Sequence, residues 1–225
     1  MLEVVLDTET TGLSTLEKHR IVEIGCIELE NQIPTGQVFH EYLNPERSIS
    51  EDAIKIHGYT ENFLADKKTF SQIAENFLNF IKGKKIIIHN AAFDLSFLNY
   101  ELRLVKLEQI NKKDVVDTLE IARQKYPGAQ NSLDALCKRF NIDNSKRDKH
   151  TALLDCKLLR EIYINLVDQK EPKLNLNSSM DLGGNFKGQI NRKNKSFKKV
   201  IKPSDEELKN HKEYLKSHLQ KNYYH

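Results

Sequence analysis

The chain has 225 residues, of which 39% are hydrophobic and 30% are charged, and its formal net charge is +3. This length supports one substantial hydrophobic core with residues left over for a polar appendage. No apolar run approaches the ~20 residues that a membrane span needs, and the N-terminal MLEVVLD lacks the pattern of a signal peptide. We therefore expect a cytoplasmic protein with no membrane partner. We expect three reduced core thiols, because the cysteines form no CxxC pair: Cys26, Cys137 and Cys156.

Charge and composition both change near Asp168. Residues 1–168 are net acidic, whereas residues 169–225 are net basic, with seven Lys or Arg and no acid between Asn185 and Pro203. Residues 169–202 show no sustained periodicity and are rich in Asn, Lys, Ser and Gly, which predicts a flexible basic linker. Ser204 followed three residues later by an acid predicts a helix start within a separate segment, 203–225. The linker remains open to two interpretations, a solvated spacer or a nonspecific nucleic-acid arm.

The first domain, residues 1–168, begins with three predicted strands at 2–7, 21–29 and 37–43. The stretch NQIPTG, with Pro34 and Gly36, predicts the turn between the second and third strands. Apolar periodicity then predicts a helix at 70–82 and a short buried strand at 84–90. The remaining predicted elements are helices at 92–104, 118–125, 132–139 and 151–167 and a strand at 114–116. Three strands in series, followed by strands that alternate with helices, predict an α/β domain with a mixed sheet.

Two acids, Asp7 and Glu9, end the first predicted strand. Residues two apart in a strand point to the same face, so both carboxylates can reach one metal ion. The alternative is a pair of acids on a solvated loop. That alternative is weaker because the apolar VVL before Asp7 directs it to the edge of a buried sheet, where an unpaired acid is costly.

A third acid, Asp94, lies at a predicted strand-to-helix junction after His89-Asn90-Ala91-Ala92-Phe93. Phe93 offers an aromatic face on which an unpaired base can stack. Asp94 could instead simply compensate the dipole of its helix.

His150 and Asp155 are five residues apart, about 140° around an ideal helix, so they cannot share a face if both are helical. We predict Asp155 on the helix and His150 at its start or in the preceding loop. The run Lys146-Arg147-Asp148-Lys149 suggests that this loop is polar and mobile. Four carboxylates and one histidine are the groups that two-metal hydrolysis of a phosphodiester uses, and oxygen ligands suit Mg²⁺ or Mn²⁺.

These motifs, DxE, NAAFD and HxxxxD, resemble the DEDDh family of 3′→5′ exonucleases. Longer runs such as KKIIIHNAAFDLSFLNYE and VVDTLEIARQKYPGAQNSLDALCKRF are more similar to the epsilon proofreading subunits of bacterial DNA polymerase III, and the resemblance covers residues 3–168. It implies a ribonuclease H-like fold, a mixed sheet flanked by helices, and removal of mispaired 3′-terminal nucleotides. By this resemblance the metal ligands and the general base are five residues: Asp7, Glu9, Asp94 and Asp155 for the metals and His150 as the base.

The resemblance also indicates substrate-side residues in a loop that ends in His57-Gly58. Epsilon subunits carry Glu where this chain has Asp52. We predict substrate contacts from seven residues: Asp7, Glu9, Asp52, His57, His89, Phe93 and Asp155.

The basic tail is similar to epsilon subunits over VIKPSDEELKNHKEYLKSHLQK, the segment that docks on the polymerase III alpha subunit. The stretch NSSMDL at 177–182 stands where epsilon subunits carry a sliding-clamp motif, with Asn for Gln and Leu for Phe. The resemblance implies a frayed single-stranded DNA 3′ end as substrate and the alpha subunit as partner, at a nucleoid-associated bacterial replisome. A small accessory subunit and the sliding clamp are further candidate partners. The alternative functions are an RNA-trimming DEDDh exonuclease and a mainly scaffolding polymerase subunit.

Overall fold

The structure, a computed structural model, describes residues 1–167 and 203–218, and in the last helix it describes side chains as far as residue 214. These ranges fall in two units, and each is described by itself. Residues 1–167 contain a five-stranded sheet in the order β3-β2-β1-β4-β5. Its strands are β1 (Leu2–Thr10), β2 (Ile21–Glu30), β3 (Ile33–Tyr42), β4 (Lys85–Ile88) and β5 (Val115–Asp117). The β1–β2 and β2–β3 pairs are antiparallel, whereas β1–β4 and β4–β5 are parallel. The predicted mixed sheet is confirmed.

Helices cover both faces of the sheet. In the first unit they are α1 (Glu51–His57), α2 (Glu61–Leu64), α3 (Phe70–Ile81), α4 (Ala91–Leu104), α5 (Thr118–Lys125), α6 (Leu133–Phe140) and α7 (Ala152–Leu166). Alternate β1 side chains enter different cores: Val4 and Leu6 pack with α3 and α4, whereas Val5 packs with α7. Coverage of both faces explains the continuous apolar run of β1. The architecture is the predicted ribonuclease H-like fold.

The turn between β2 and β3 differs from the prediction. It is formed by Asn31 and Gln32, both with positive φ (50° and 69°), as a tight hairpin turn requires. Pro34 and Gly36, predicted in the turn, lie instead within β3. Because β3 is an edge strand, it tolerates a proline. The pairing shifts between Ile27 and Leu29, where one β2 residue faces three β3 residues, so Gly36 (φ 87°) lies within a bulge of β3.

Helix α1 corrects a second expectation, since Asp52 and His57 lie on this helix and not in a loop. The Ser50 hydroxyl accepts the Ala53 amide at 3.2 Å at the start of α1, and Gly58 ends the helix at φ 83°. Seven residues with two buried side chains are too few to show helical periodicity in the sequence.

The second unit contains the helix α8 (Asp205–His218). The Glu207 carboxylate accepts the Ser204 amide at 2.8 Å, and the Glu207 amide donates back to the Ser204 hydroxyl at 3.3 Å. The predicted helix start is therefore confirmed as a capping box. The predicted linker and the clamp-like stretch 177–182 lie outside the described residues. No helix in the described part of the chain is long and apolar enough to cross a membrane.

Candidate active site

The β1 strand carries the first two acids beyond the end of its parallel neighbour. The β1–β4 pairing ends at Val5 opposite Ile87, whereas β2 pairs with β1 as far as Thr10. Asp7 and Glu9 therefore lie past the carboxyl end of β4, the sheet edge at which open α/β sheets bind ligands. Asp7 is half-buried and Glu9 is buried.

Asp94 is buried on the first turn of α4 and is bonded to β1. Its Oδ1 accepts the Thr8 amide at 3.1 Å and the Thr8 hydroxyl at 2.7 Å. Asp117, at the end of β5, accepts the amides of Asn90 and Ala91 at 3.1 and 3.0 Å. These bonds fix the β4–α4 junction, and so they place Asp94 directly behind the two β1 acids.

The start of α7 brings the fourth acid and the histidine, with His150 in the preceding loop and Asp155 on the first turn, as predicted. The His150 amide donates to the Ile56 carbonyl of α1 at 3.1 Å. The Ala152 amide donates to Oε2 of Glu23 on β2 at 2.8 Å. The loop and helix are therefore bonded to two other elements.

Gly25 lets α7 approach β2 closely. A Cβ at position 25 would lie 2.7 Å from the carbonyl carbon of Ala152, closer than real contacts allow. The Cys156 thiol lies 3.2 Å from the Gly25 carbonyl oxygen. A glycine here is therefore a condition for bringing Asp155 against the sheet.

All five predicted residues line one cavity of about 290 Å³. Ligand atoms of Glu9, His150 and Asp155 lie within 4.8 Å of one another, close enough to share a metal ion. Two of the predicted substrate residues, His89 and Phe93, also line this cavity.

The other two predicted substrate residues, Asp52 and His57, line an adjoining cavity of about 160 Å³ together with Glu9 and Phe93. His57 is buried and its ring stacks on Tyr59 at 4.9 Å. The Asp52 carboxylate is exposed and pairs with Lys55 at 2.9 Å.

Arg147 is a residue of the site that sequence reasoning missed. Its guanidinium, only 6% exposed, donates to both oxygens of Asp155 at 2.6 Å and to Oδ2 of Asp134 at 2.8 Å. A fourth bond, from Nη2, reaches Nδ1 of His150 at 3.0 Å. These bonds connect the polar loop before His150 to α6 and α7, and the mobility of this loop stays a prediction.

Glu23 is a second residue near the site that the sequence pattern did not indicate. It is fully buried, and it accepts the Tyr59 hydroxyl at 2.8 Å and lies 2.7 Å from Nε2 of His40. No local signal marks it, because IVEIGC has the pattern of an ordinary strand. Only its distant partners, with the start of α7 among them, identify it as a positioning residue.

The electrostatics of the site favour a cation. Burial raises the pKa of Asp7 well above its ordinary value, and the charges of Asp94 and Glu9 raise it further. Burial also raises the pKa of Glu9 to about 8 and that of Asp94 to about 7. Burial lowers the pKa of His150, and the Arg147 charge adds to this effect. The carboxylates repel one another, and one of them already binds an arginine. A divalent metal ion would relieve the same repulsion, so the cluster suits such an ion.

A mixed sheet with these acids and a histidine at its edge defines the protein as a DEDDh exonuclease. The exonuclease family model RNase_T matches residues 4–163. This family depends on divalent metal ions, in agreement with the acidic cluster.

Relatives with high sequence identity point to a narrower family. DNA polymerase III subunit epsilon of Rickettsia felis is 48% identical over 221 residues, which cover 96% of each chain. The protein of the same name from Escherichia coli K12 is 47% identical over 170 residues, 72% of this chain and 70% of that one. The chain belongs to the family of DNA polymerase III epsilon subunits.

Solved structures share the fold. Exonuclease X in complex with 5′-overhanging duplex DNA has a TM-score of 0.58 and 26% identity, covering 74% of this chain and 92% of that one. The nuclease domain of 3′hExo, a DEDDh member bound to rAMP, has a TM-score of 0.64 at 20% identity, covering 75% and 92%. The latter likeness concerns the fold alone.

Proposed function

We propose that this chain is the proofreading 3′→5′ exodeoxyribonuclease of a bacterial polymerase III, and that it removes mispaired 3′-terminal nucleotides by two-metal hydrolysis. The observation that carries the proposal is the convergence of four acids and one histidine, from three separate elements, on one cavity of about 290 Å³. The identity of 48% to an epsilon subunit over nearly the whole chain supports it. Nucleotidyl transfer is an activity of the holoenzyme and not of this subunit.

Two divalent cations, when bound, would activate a water molecule and offset the charge that develops on the scissile phosphate. Asp7, Glu9 and Asp155 would hold them, and Asp94 would support the site through its bonds to Thr8. We propose Mg²⁺ or Mn²⁺, because an oxygen-rich ligand set suits these hard ions better than Zn²⁺.

His150 would take the proton from the attacking water. Its side chain is 44% exposed and lines the cavity, so water can reach it. The lowered pKa leaves the imidazole neutral, and therefore able to accept a proton, near neutral pH.

Selection of mispaired ends would need no reading of bases. A mismatched primer end frays more readily, and only a frayed single strand would reach the site. Phe93 would stack on an unpaired base, and His57 and Asp52 would line the adjoining cavity for the terminal nucleoside. His89 would contact the strand from the wall of the carboxylate cavity.

The polymerase partner follows from the family, and we propose that the alpha subunit binds the segment 203–225. In α8 the apolar side chain of Leu208 is 43% exposed, which suits a helix that docks on a partner. A small accessory subunit and the sliding clamp are further proposed partners, at a nucleoid-associated replisome in the bacterial cytoplasm.

One experiment separates proofreading from the two alternative functions, RNA trimming and scaffolding. The purified chain is given matched and mismatched 3′-ended DNA, and RNA of the same sequence, with Mg²⁺ present and then chelated. We expect metal-dependent removal of nucleotides that is fastest at the mismatched DNA end. Faster degradation of RNA would favour the RNA-trimming function, and no degradation of any substrate would favour a scaffolding subunit.

A further inference from the structure

A larger cavity of about 630 Å³ continues the active site on the side of α5 and α6. It shares His89, Asn90 and Leu133 with the carboxylate cavity. We call it the Arg123 groove and define it by six wall residues: His89, Asn90, Arg123, Asn131, Ser132 and Leu133. The two cavities therefore adjoin each other at these three residues.

The small adjoining cavity borders the carboxylate cavity at three other residues. It shares Thr8, Glu9 and Phe93 with the carboxylate cavity. Its walls contain the carboxyl groups of Glu9 and Asp52, and no Lys or Arg lines it in the described part of the chain. Its 160 Å³ suits one nucleoside rather than a continuing strand with further phosphates.

Arg123 gives the Arg123 groove a positive charge that the small cavity lacks. Its side chain is exposed, and among the described residues it forms no hydrogen bond or ion pair. Burial lowers the pKa of His89, and the positive charge of Arg123 lowers it further. Arg123 therefore contributes to the electrostatic potential at the wall of the groove. An unpaired guanidinium is suited to bidentate contact with a phosphate.

The wall of the Arg123 groove that contains Asn131 is held in place by hydrogen bonds. Asn131 is buried. Its side-chain Nδ2 donates to the carbonyls of Tyr126 and Ala129 at 3.3 and 3.0 Å, and its Oδ1 accepts a bond from Arg139 at 3.0 Å. A strand that enters the groove therefore meets walls that need little ordering.

We propose that the Arg123 groove binds the DNA strand on the 5′ side of the scissile phosphate, and that Arg123 contacts a backbone phosphate of that strand. This inference rests on the proposed exonuclease function. An exonuclease that removes one nucleotide needs room for a single nucleoside beyond the cleaved bond, whereas every other phosphate lies on the opposite side. The unpaired cation lies on that side, and Leu133 gives a sugar or base an apolar contact.

The test compares substrates with and without an upstream strand. The p-nitrophenyl ester of thymidine 5′-monophosphate has no upstream nucleotide, whereas a single-stranded oligodeoxynucleotide does. We expect Arg123→Ala to hydrolyse the ester within about twofold of the wild-type rate and to show a KM for the oligonucleotide raised about 5–10-fold, the size of one lost phosphate contact.

Binding gives a second readout that does not depend on turnover. The affinity for a fluorescent single-stranded oligonucleotide is measured by anisotropy in EDTA over a salt series. We expect Arg123→Ala to weaken binding and to reduce the slope of log affinity against log salt by about 0.7, the value for one phosphate contact on a single strand. The matched control is Arg103→Ala, an exposed arginine on α4 that lies ~18 Å along the helix from its start at the site.

Three outcomes would overturn the inference: oligonucleotide binding with wild-type affinity and slope, an equal loss on the ester and the oligonucleotide, or the same change in Arg103→Ala. If the wild-type chain hydrolysed neither substrate, the proposed function would fail, and the anisotropy series would still decide whether the groove binds the strand.

Discussion

The guanidinium of Arg147 donates to both carboxylate oxygens of Asp155, with Nε–Oδ1 and Nη2–Oδ2 distances of 2.6 Å each. Because arginine is always a donor, the Nη2 contact makes Nδ1 of His150 an acceptor, so the neutral ring carries its proton on Nε2 in this state. One arginine therefore occupies both a predicted metal ligand and the only acceptor nitrogen of the proposed base, so His150 can take a proton from water only when the Arg147 contact is broken. A cation that binds Asp155 competes with Arg147 for the same oxygens.

Replacing this arginine should make the protein depend on metal for stability. We expect Arg147→Gln to lower the melting temperature in EDTA markedly, because removing one partner of a buried ion pair costs about 3–5 kcal/mol. Saturating Mg²⁺ should restore most of the loss, since a cation again neutralises Asp155. Thermal melts with and without Mg²⁺ measure both effects.

The matched control for that variant is Arg20→Gln. Arg20 makes an equivalent two-bond pair with buried Glu101, at 2.6 and 2.8 Å, but neither residue lines the carboxylate cavity. We expect it to lose stability without recovery in Mg²⁺. Equal recovery in both variants would contradict a specific competition between Arg147 and the metal.

Asp7→Asn should separate activity from stability. Loss of a proposed metal ligand should lower the rate by at least ~10³-fold. The metal-free protein should melt higher than wild type, because asparagine removes a charge that burial and the neighbouring acids disfavour. Exposed Asp66→Asn is the control and should change neither property. A rate within about tenfold of wild type, or about 1.4 kcal/mol, would contradict the two-metal assignment.

The stability of the metal-free protein should fall as pH rises. Folding raises the pKa of Glu9 from 4.5 to about 8 and that of Asp94 from 3.8 to about 7. A group whose pKa is raised by folding stabilises the folded protein fully at pH values below its unfolded-state pKa. This stabilisation is lost as the pH rises through its folded-state pKa. Melts in EDTA between pH 4.5 and 8 should therefore show a decline, and Mg²⁺ should stabilise more at the upper end of this range. A flat series in EDTA would contradict these shifts, and Glu9→Gln should show a shallower decline than wild type.

His150→Ala should reduce turnover by roughly 10²–10⁴, the usual contribution of a general base. Metal affinity should change little, because four carboxylates remain. The wild-type rate should rise with pH until the imidazole is neutral and then level off, and the variant should lack this step. Single-turnover rates against pH, together with calorimetric Mn²⁺ binding, provide the measurement; a wild-type profile without the step would exclude His150 as the base.

A fragment that ends at Asp168 should keep exonuclease activity but lose association with the polymerase subunit. Every predicted catalytic residue precedes Asp168, whereas the capped helix begins only after Ser204. A docked tail would raise the effective concentration of the nuclease at the primer end. Pull-down of the alpha subunit by the fragment and by the full chain tests this; equal capture would show that the tail is not the tether.

The sequence located the acids of the candidate site because each acid lies in a strong local pattern. VVLD predicts a strand end, and NAAFD a strand-to-helix junction. The spacing of His150 and Asp155 allowed one on the helix and one before it, as the structure has them. Local patterns misled at Pro34 and Gly36, since the rule that they mark turns does not consider that an edge strand tolerates proline and a bulge tolerates glycine.

Tertiary structure alone decided the roles of Arg147 and Glu23. A polar run before His150 predicts a solvated loop, but Asp134 on α6 and Asp155 on α7 bury the guanidinium. Glu23 is separated by 129 residues from Ala152, whose amide it accepts. Sequence patterns report the burial and propensity of neighbouring residues, whereas the partner of a buried charge depends on which distant elements pack together, and only the folded chain brings those elements into contact.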